Sequence, residues 1–202
     1  MGNYKIIILT FLSLALVNCV GLSPSNFRTA KALGKGEGQI LTGIHTLGSS
    51  EVIEAMGRFP IAANYVDMGF AFNHKYMSLG FEIDAKYQFI NAAGFSSALD
   101  LSVQNLHILF MSKEFQATSL VTTVPAWLLT YQMTDWLSVT SGAKAVLFLK
   151  PEYKPSKTMY GFPLSFDIGK TFGLMLEGTF FKNHYIDDHS WDFGAAFRYN
   201  IK

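Results

Sequence analysis

Polar and apolar side chains change places at every second residue through most of this chain, most clearly in its last segment. Trp191, Phe193, Ala195, Phe197, Tyr199 and Ile201 alternate there with Asp192, Gly194, Ala196, Arg198, Asn200 and Lys202. A helix would mix these two sets, whereas a strand sends alternate side chains to opposite faces. Upstream, Phe162, Leu164, Phe166 and Ile168 alternate with Pro163, Ser165, Asp167 and Gly169, and Leu174, Leu176 and Phe180 oppose Met175, Glu177 and Thr179. Leu137, Val139, Ala143, Ala145 and Leu147 alternate with Ser138, Thr140, Gly142 and Lys144. Ile83, Ala85, Tyr87 and Phe89 do so with Asp84, Lys86 and Gln88, and Leu99, Leu101 and Val103 with Asp100, Ser102 and Gln104. The repetition predicts strands at Gly38 to Leu47, Ile61 to Phe72, Tyr76 to Phe81, Ile83 to Ile90 and Phe95 to Ile108. Five more follow at Ala117 to Tyr131, Trp136 to Leu149, Tyr160 to Gly169, Phe172 to Phe181 and Trp191 to Ile201. Tyr76 to Ile90 is read as two short strands because Gly80 permits a sharp turn, which gives about ten; eight is the alternative.

Parity does not say which face is buried, since a soluble sandwich or barrel would turn the same aromatics inward. Three features favour lipid outside. Ala117 to Tyr131 and Leu137 to Leu149 exceed the roughly 10 residues that cross a bilayer at a barrel's tilt. Short connectors at Asn73 to Lys75, Asn91 to Gly94, Thr134 to Asp135 and Lys170 to Thr171 contrast with long polar ones at Gly48 to Arg58, Lys150 to Met159 and Lys182 to Ser190. Membrane barrels have short turns at one end and longer loops at the other. Tyr76, Trp127, Tyr131, Trp136, Tyr160, Tyr185, Trp191 and Tyr199 fall near predicted strand ends, where rings with a polar edge suit a membrane interface. The uncharged stretch Phe115 to Thr134 is no membrane helix, because Thr118, Ser119, Thr122, Thr123, Pro125, Thr130 and Gln132 interrupt it and its β-branched residues favour a strand. Pro125, lacking an N–H, is read as a local bulge. The expected fold is all-β, an antiparallel up-and-down β-barrel over residues 37–202.

Composition agrees. Charged residues make up 15% of the 202-residue chain, against about 25% in a typical soluble domain, and aromatics reach 15%. A net charge of +1 offers no basic field for nucleic acid. The single cysteine, Cys19, excludes an intramolecular disulfide and a multi-cysteine zinc site.

The N-terminus reads as an address. Lys5 precedes the apolar run Ile6 to Val17, long enough for a secretory signal and too short for a transmembrane helix of about 20 residues. Residues 1–18 are therefore expected to be a signal peptide. Leu16, Val17, Asn18 and Cys19 resemble the lipobox of bacterial lipoproteins, with Asn18 where Gly, Ala or Ser is usual, a looser pattern similar to that of some spirochaete lipoproteins. The resemblance implies acylation at Cys19 and a lipidated or flexible segment over 19–36. From Gly36 to Lys202 the chain also resembles the small outer-membrane β-barrel proteins of bacteria, Gram-negative or spirochaete, including the run Asp84, Ala85, Lys86, Tyr87, Gln88, Phe89; it ends in Lys202 where those barrels often end in an aromatic residue. That resemblance implies residence in the bacterial outer membrane, against outer-membrane lipid.

With apolar faces on lipid, Asp84, Lys86, Asp100, Lys144, Asp167, Glu177, Asp192 and Arg198 point into the lumen, where mixed signs imply an ion-pair network, because an isolated charge there is costly. A barrel this narrow is largely filled by its own side chains, which argues against a wide pore. Catalysis has one weak candidate, Asp188, His189 and Ser190, with Asp187 and His184 nearby: a carboxylate, a base and a hydroxyl suit acyl chemistry if they meet within hydrogen-bond distance. His45, His74 and His107 are scattered and read as interface or loop residues. No compact metal motif or phosphate-binding loop is evident, and no cofactor is expected. The expectation is a non-enzymatic barrel with a structural or surface-interaction role, touching an envelope or extracellular protein through loops 48–58, 150–159 and 182–190. Two alternatives stand: a lipid-modifying hydrolase or acyltransferase, and a soluble lipocalin-like carrier with Phe166, Leu176 and Phe197 inside.

Overall fold

The computed structural model describes residues 27–47, 50–75, 78–108, 119–149, 158–183 and 189–202. Its strands are β1 (Gly38–Leu47), β2 (Ser50–Ala62), β3 (Val66–Lys75), β4 (Ser78–Ala92) and β5 (Phe95–Ile108), followed by β6 (Ser119–Thr134), β7 (Leu137–Phe148), β8 (Met159–Gly169), β9 (Phe172–Asn183) and β10 (His189–Ile201). Each pairs antiparallel with the next, and β1 closes on β10 from Gly38↔Ile201 to His45↔Gly194. The sheet is a ten-stranded up-and-down barrel in which every strand has a neighbour on both sides, so it presents no free edge.

The two faces of this barrel are inverted relative to a water-soluble one. Phe70, Phe72, Ile83, Tyr87, Leu99, Leu101, Phe162, Phe166, Leu176, Phe193 and Phe197 lie exposed on the outside. The inward positions are buried and largely polar: Glu54 and Arg58 on β2, Asp67 and Asn73 on β3, Glu82, Asp84, Lys86 and Gln88 on β4, and Asp100, Ser102 and Gln104 on β5. An apolar outside on a closed sheet whose strands pair with neighbours on both sides is what hydrocarbon demands of a spanning sheet. Phe166, Leu176 and Phe197, which a soluble carrier would turn inward, all face out.

Four connections, at residues 63–65, 93–94, 135–136 and 170–171, gather at the end where β1 starts and β10 finishes, hereafter the turn end. Ala93 and Gly94 both have positive φ, 47° and 83°, the hand that a two-residue hairpin needs to follow the twist of its strands. At the loop end, β5 and β6, β7 and β8, and β9 and β10 are joined through residues 109–118, 149–158 and 184–188.

Four sequence-based expectations need correction. Residues 48–58 are not a long loop: β2 starts at Ser50, and its inward Val52, Glu54, Met56 and Arg58 alternate with Ile53, Ala55, Gly57 and Phe59. Two inward charges and two small outward residues leave too faint an apolar stripe for a strand to show. Residues 76–90 are not two strands, because Gly80 sits within β4, paired with Asn73 on one side and Leu106 on the other. The missed strand and the divided one compensate, so ten strands are present, not eight. Pro125 makes no bulge. The β6–β7 register is the same at Thr123↔Leu147 and at Ala126↔Lys144, and the ladder is only interrupted between them; the β7–β8 ladder is interrupted in the same way beside Pro163. A missing N–H removes a rung without shifting the strand. Trp127, expected near a strand end, is central because β6 runs on to Thr134.

Leu101 lies mid-strand on the outer face. Leu101→Arg is expected to destabilise the barrel by about 2–4 kcal/mol in lipid vesicles, read as a lower urea midpoint, the cost of a charge at the bilayer midplane.

Candidate functional site

The described site is the lumen, and its occupant is the chain itself. Residues 27–33 precede β1 and run down inside the wall toward the turn end, held by backbone N–H groups donating to wall side chains. Phe27 N donates to Glu177 Oε2 at 2.8 Å, Ala30 N to Thr130 Oγ1 at 2.6 Å, Ala32 N to Gln88 Oε1 at 2.6 Å and Leu33 N to Asp67 Oδ2 at 3.3 Å. Asn64 N, in the β2–β3 turn, returns a bond to Leu33 O at 2.8 Å. A segment with no sheet partner of its own thus meets its hydrogen-bond requirement from inward-facing wall residues. Its apolar side chains also take part in two of the lumen's small hydrophobic clusters. Phe27 packs with Leu41, Met56, Ala71, Met175 and Ala196, and Ala30 with Ala98, Ala126 and Leu128. Gly194 makes room for this, because a Cβ there would run into the Phe27 ring and His45.

Arg28 carries the segment's charge into an acidic pocket. Its Nη1 lies 2.6 Å from Asp100 Oδ2, and its Nη2 bonds Glu82 and lies 3.2 Å from Asp84 Oδ2. Gln104 Nε2 donates to the other Glu82 oxygen at 2.8 Å. Beside it, Arg58 pairs with Asp67 and places Nη1 2.7 Å from Asp84 Oδ1. Lys86 reaches Asp67 at 3.2 Å and donates to Thr29 O and Lys31 O, each at 2.8 Å. All seven ionic side chains are at most 3% exposed.

Further round the wall, Lys144 lies 3.5 Å from Glu177 and 5.3 Å from the centre of the Phe181 ring. His45 stands between Asp192, at 3.2 Å, and Glu54, at 3.7 Å. Near the turn end, Arg198 pairs with Asp167 at 2.8 Å and donates to Gly169 O and Lys170 O. The loop-end half holds a third cluster, Val124, Val146 and Phe181 with Phe148 and Met159 against it.

Of the eight residues assigned to the lumen from parity, Asp84, Lys86, Asp100, Lys144, Asp167, Glu177 and Arg198 lie on its inner face within 4 Å of an oppositely charged side chain, and Asp192 lies there 3.2 Å from the His45 ring. Glu54 and Arg58 fall in the segment that the pattern reads as a loop, and Glu82 in the break it places between Phe81 and Ile83; Asp67 shares the inward parity of its strand and is legible from it. His45, expected at an interface or in a loop, is buried in the lumen, on the same face of β1 as Leu41. Arg28 had no strand parity to reveal it.

His189 and Ser190 are consecutive in β10, so their side chains leave opposite faces of the sheet: His189 is exposed beside Phe180, with ring centres 5.9 Å apart. Asp187, Asp188 and His184 lie outside the described residues, as does Cys19. Among the described residues no three His, Cys, Asp or Glu side chains are placed to hold a metal ion.

No protein-family model matches the chain, and no curated protein matches its sequence. Among solved structures it is similar to the N-terminal β-barrel domain of Pseudomonas aeruginosa OprF, at 10% identity and a TM-score of 0.48 over 83% of this chain and 99% of that one. It is also similar to the KdgM porin, at 12% identity and a TM-score of 0.49 over 81% of this chain and 98% of that one. The ten-stranded barrel is set by the chain's own strand pairing.

Arg58→Met strips Asp67 and Asp84 of a buried partner and is expected to cost about 3–5 kcal/mol in urea unfolding. The double variant Arg58→Met/Asp67→Asn should cost less than the sum of the two single changes, which a double-mutant cycle would measure.

Proposed function

We propose that this chain is an integral, non-enzymatic β-barrel of the bacterial outer membrane, with a closed lumen and a structural or surface-interaction role. The observation that carries this reading is the inverted polarity of the wall: exposed Phe, Leu, Ile and Tyr side chains on the outside and paired charges on the inside. In water the outer belt would be an aggregation surface far larger than the few hundred Å² that soluble monomers expose, whereas a bilayer covers it. Among the described residues, a lumen filled by a peptide segment and ion pairs leaves no wide solute path and no apolar cavity for a carried ligand.

The partner-facing part in this reading is the loop end, through residues 150–157 and 184–188, with residues 48–49 only a short link. A signal peptide over residues 1–18 and acylation of Cys19 belong to the same proposal and rest on the Lys5, Ile6 to Val17 and Leu16 to Cys19 pattern. The acyl chains would be an accessory anchor beside ten spanning strands. Opposite orientations of His189 and Ser190 speak against a nucleophile and base acting together.

Fractionation with boiled and unboiled gel samples tests the reading. Outer-membrane recovery and a heat-dependent shift in mobility are expected, and both should persist in Cys19→Ala expressed from a standard signal; release of that variant by a carbonate wash would refute it. His189→Ala is expected to leave the envelope lipid profile unchanged by mass spectrometry, and a lost lipid modification would instead favour the enzyme.

A further inference from the structure

We propose that the lumen wall is a binding site for a guanidinium group, filled in this chain by Arg28, and that it takes a free guanidinium-class cation when the Arg28 side chain is removed. The proposal stands on the lumen geometry and does not depend on which membrane the barrel occupies.

The wall supplies a receptor for the two terminal nitrogens of a guanidinium, while Arg28 Nε is left without a hydrogen-bond partner among the described residues. Glu82 and Asp84 are successive inward positions of β4, and Asp100 stands on β5 opposite Lys86, one inward step from Asp84. Their carboxylates approach the two terminal nitrogens of a single guanidinium from different directions, with Asp100 on Nη1 and Glu82 and Asp84 on Nη2. That arrangement suits a planar, forked donor and wastes most of its acceptors on a compact ammonium.

The carboxylates are also held from behind by groups other than Arg28. Gln104 fixes Glu82 at 2.8 Å, and Arg58 fixes Asp84 at 2.7 Å. Asp100 Oδ1 is buried and has no hydrogen-bond partner among the described residues, so acceptor capacity remains even with Arg28 seated. Without Arg28, four buried carboxylates, Asp67, Glu82, Asp84 and Asp100, face only Arg58 and Lys86, and this deficit of positive charge attracts a replacement.

Ligand and wall can be separated experimentally because the segment has other fastenings. The N–H groups of Phe27, Ala30, Ala32 and Leu33 stay bonded to Glu177, Thr130, Gln88 and Asp67 whatever side chain stands at 28. Truncation at residue 28 therefore leaves a cavity walled by carboxylates beside a docked backbone. Filling it from solution stabilises the folded state through ordinary binding linkage.

The test uses the full mature chain, refolded from urea into detergent micelles with millimolar methylguanidinium, methylammonium or sodium chloride at matched ionic strength. Unfolding is followed by heat-dependent mobility on cold gels. Arg28→Ala is expected to melt on the order of 10 °C below the wild type in sodium. Methylguanidinium should restore at least half of that loss, methylammonium should not, and the wild type should respond to neither. If Arg28→Ala does not refold in sodium, the yield of folded band is read instead, and recovery by methylguanidinium alone is the expected result. The double variant Arg28→Ala/Glu82→Gln should lose the selective response. An unchanged midpoint in Arg28→Ala, an equal response to methylammonium, or a selective response that survives Glu82→Gln would each overturn the proposal, as would failure of every cation to recover folded protein.

Discussion

A charge buried inside a narrow barrel is largely cut off from water, so the ionised side chains of this lumen take partners of opposite sign. The rest of the structure follows from that constraint. Arg28, Arg58 and Lys86 are shared among Glu82, Asp84, Asp100 and Asp67 so that no carboxylate in the group stands without a cation. Lys144 is matched to Glu177, and Asp167 to Arg198. In a low-dielectric interior such a network is stiff when complete and costly when broken, which ties the register of β2, β3, β4 and β5 to one set of contacts.

The network is not completed by the wall alone. Its largest shared cation comes from residues that precede the first strand, and the same segment brings Phe27 and Ala30 to the two apolar clusters beside the charges. Barrel closure and docking of residues 27–33 are therefore coupled: the wall without the segment has a surplus of buried carboxylate, and the segment without the wall has unsatisfied N–H groups. A solute crossing this part of the lumen would have to displace both a peptide and its ion pairs.

Much of this was legible in the sequence because a two-residue period writes lumen and lipid onto alternate positions. Where the outward set was large and aromatic, as in β8 with Tyr160, Phe162, Leu164 and Phe166, strand, face and inward charges could all be read. The signal failed where the outward set was small or the inward set apolar, as in β2, whose Met56 and Gly57 reverse the expected contrast. It also misled at Gly80, where a residue able to turn does not turn because Phe81 and Ile83 continue the outward stripe of β4. Periodicity is blind to Arg28, since a segment docked through backbone N–H groups onto scattered wall side chains leaves no repeat. The pairing of Arg28 with three carboxylates exists only once the sheet has closed.

The orientation of the wall is the premise for everything said about the lumen, and Trp127 reports on it directly. It lies in the middle of β6, on the outer face and 48% exposed, with its ring N–H donating to Ser97 Oγ at 2.9 Å. A variant retaining Trp127 alone, with Trp136 and Trp191 changed to Phe, would be refolded into vesicles whose lipids carry bromine deep in the acyl chains. Strong quenching of its fluorescence relative to unbrominated vesicles is the predicted result. Emission unaffected by bromine in a chain shown to be folded would mean that the aromatic face does not meet lipid, and the membrane-spanning barrel would have to be abandoned.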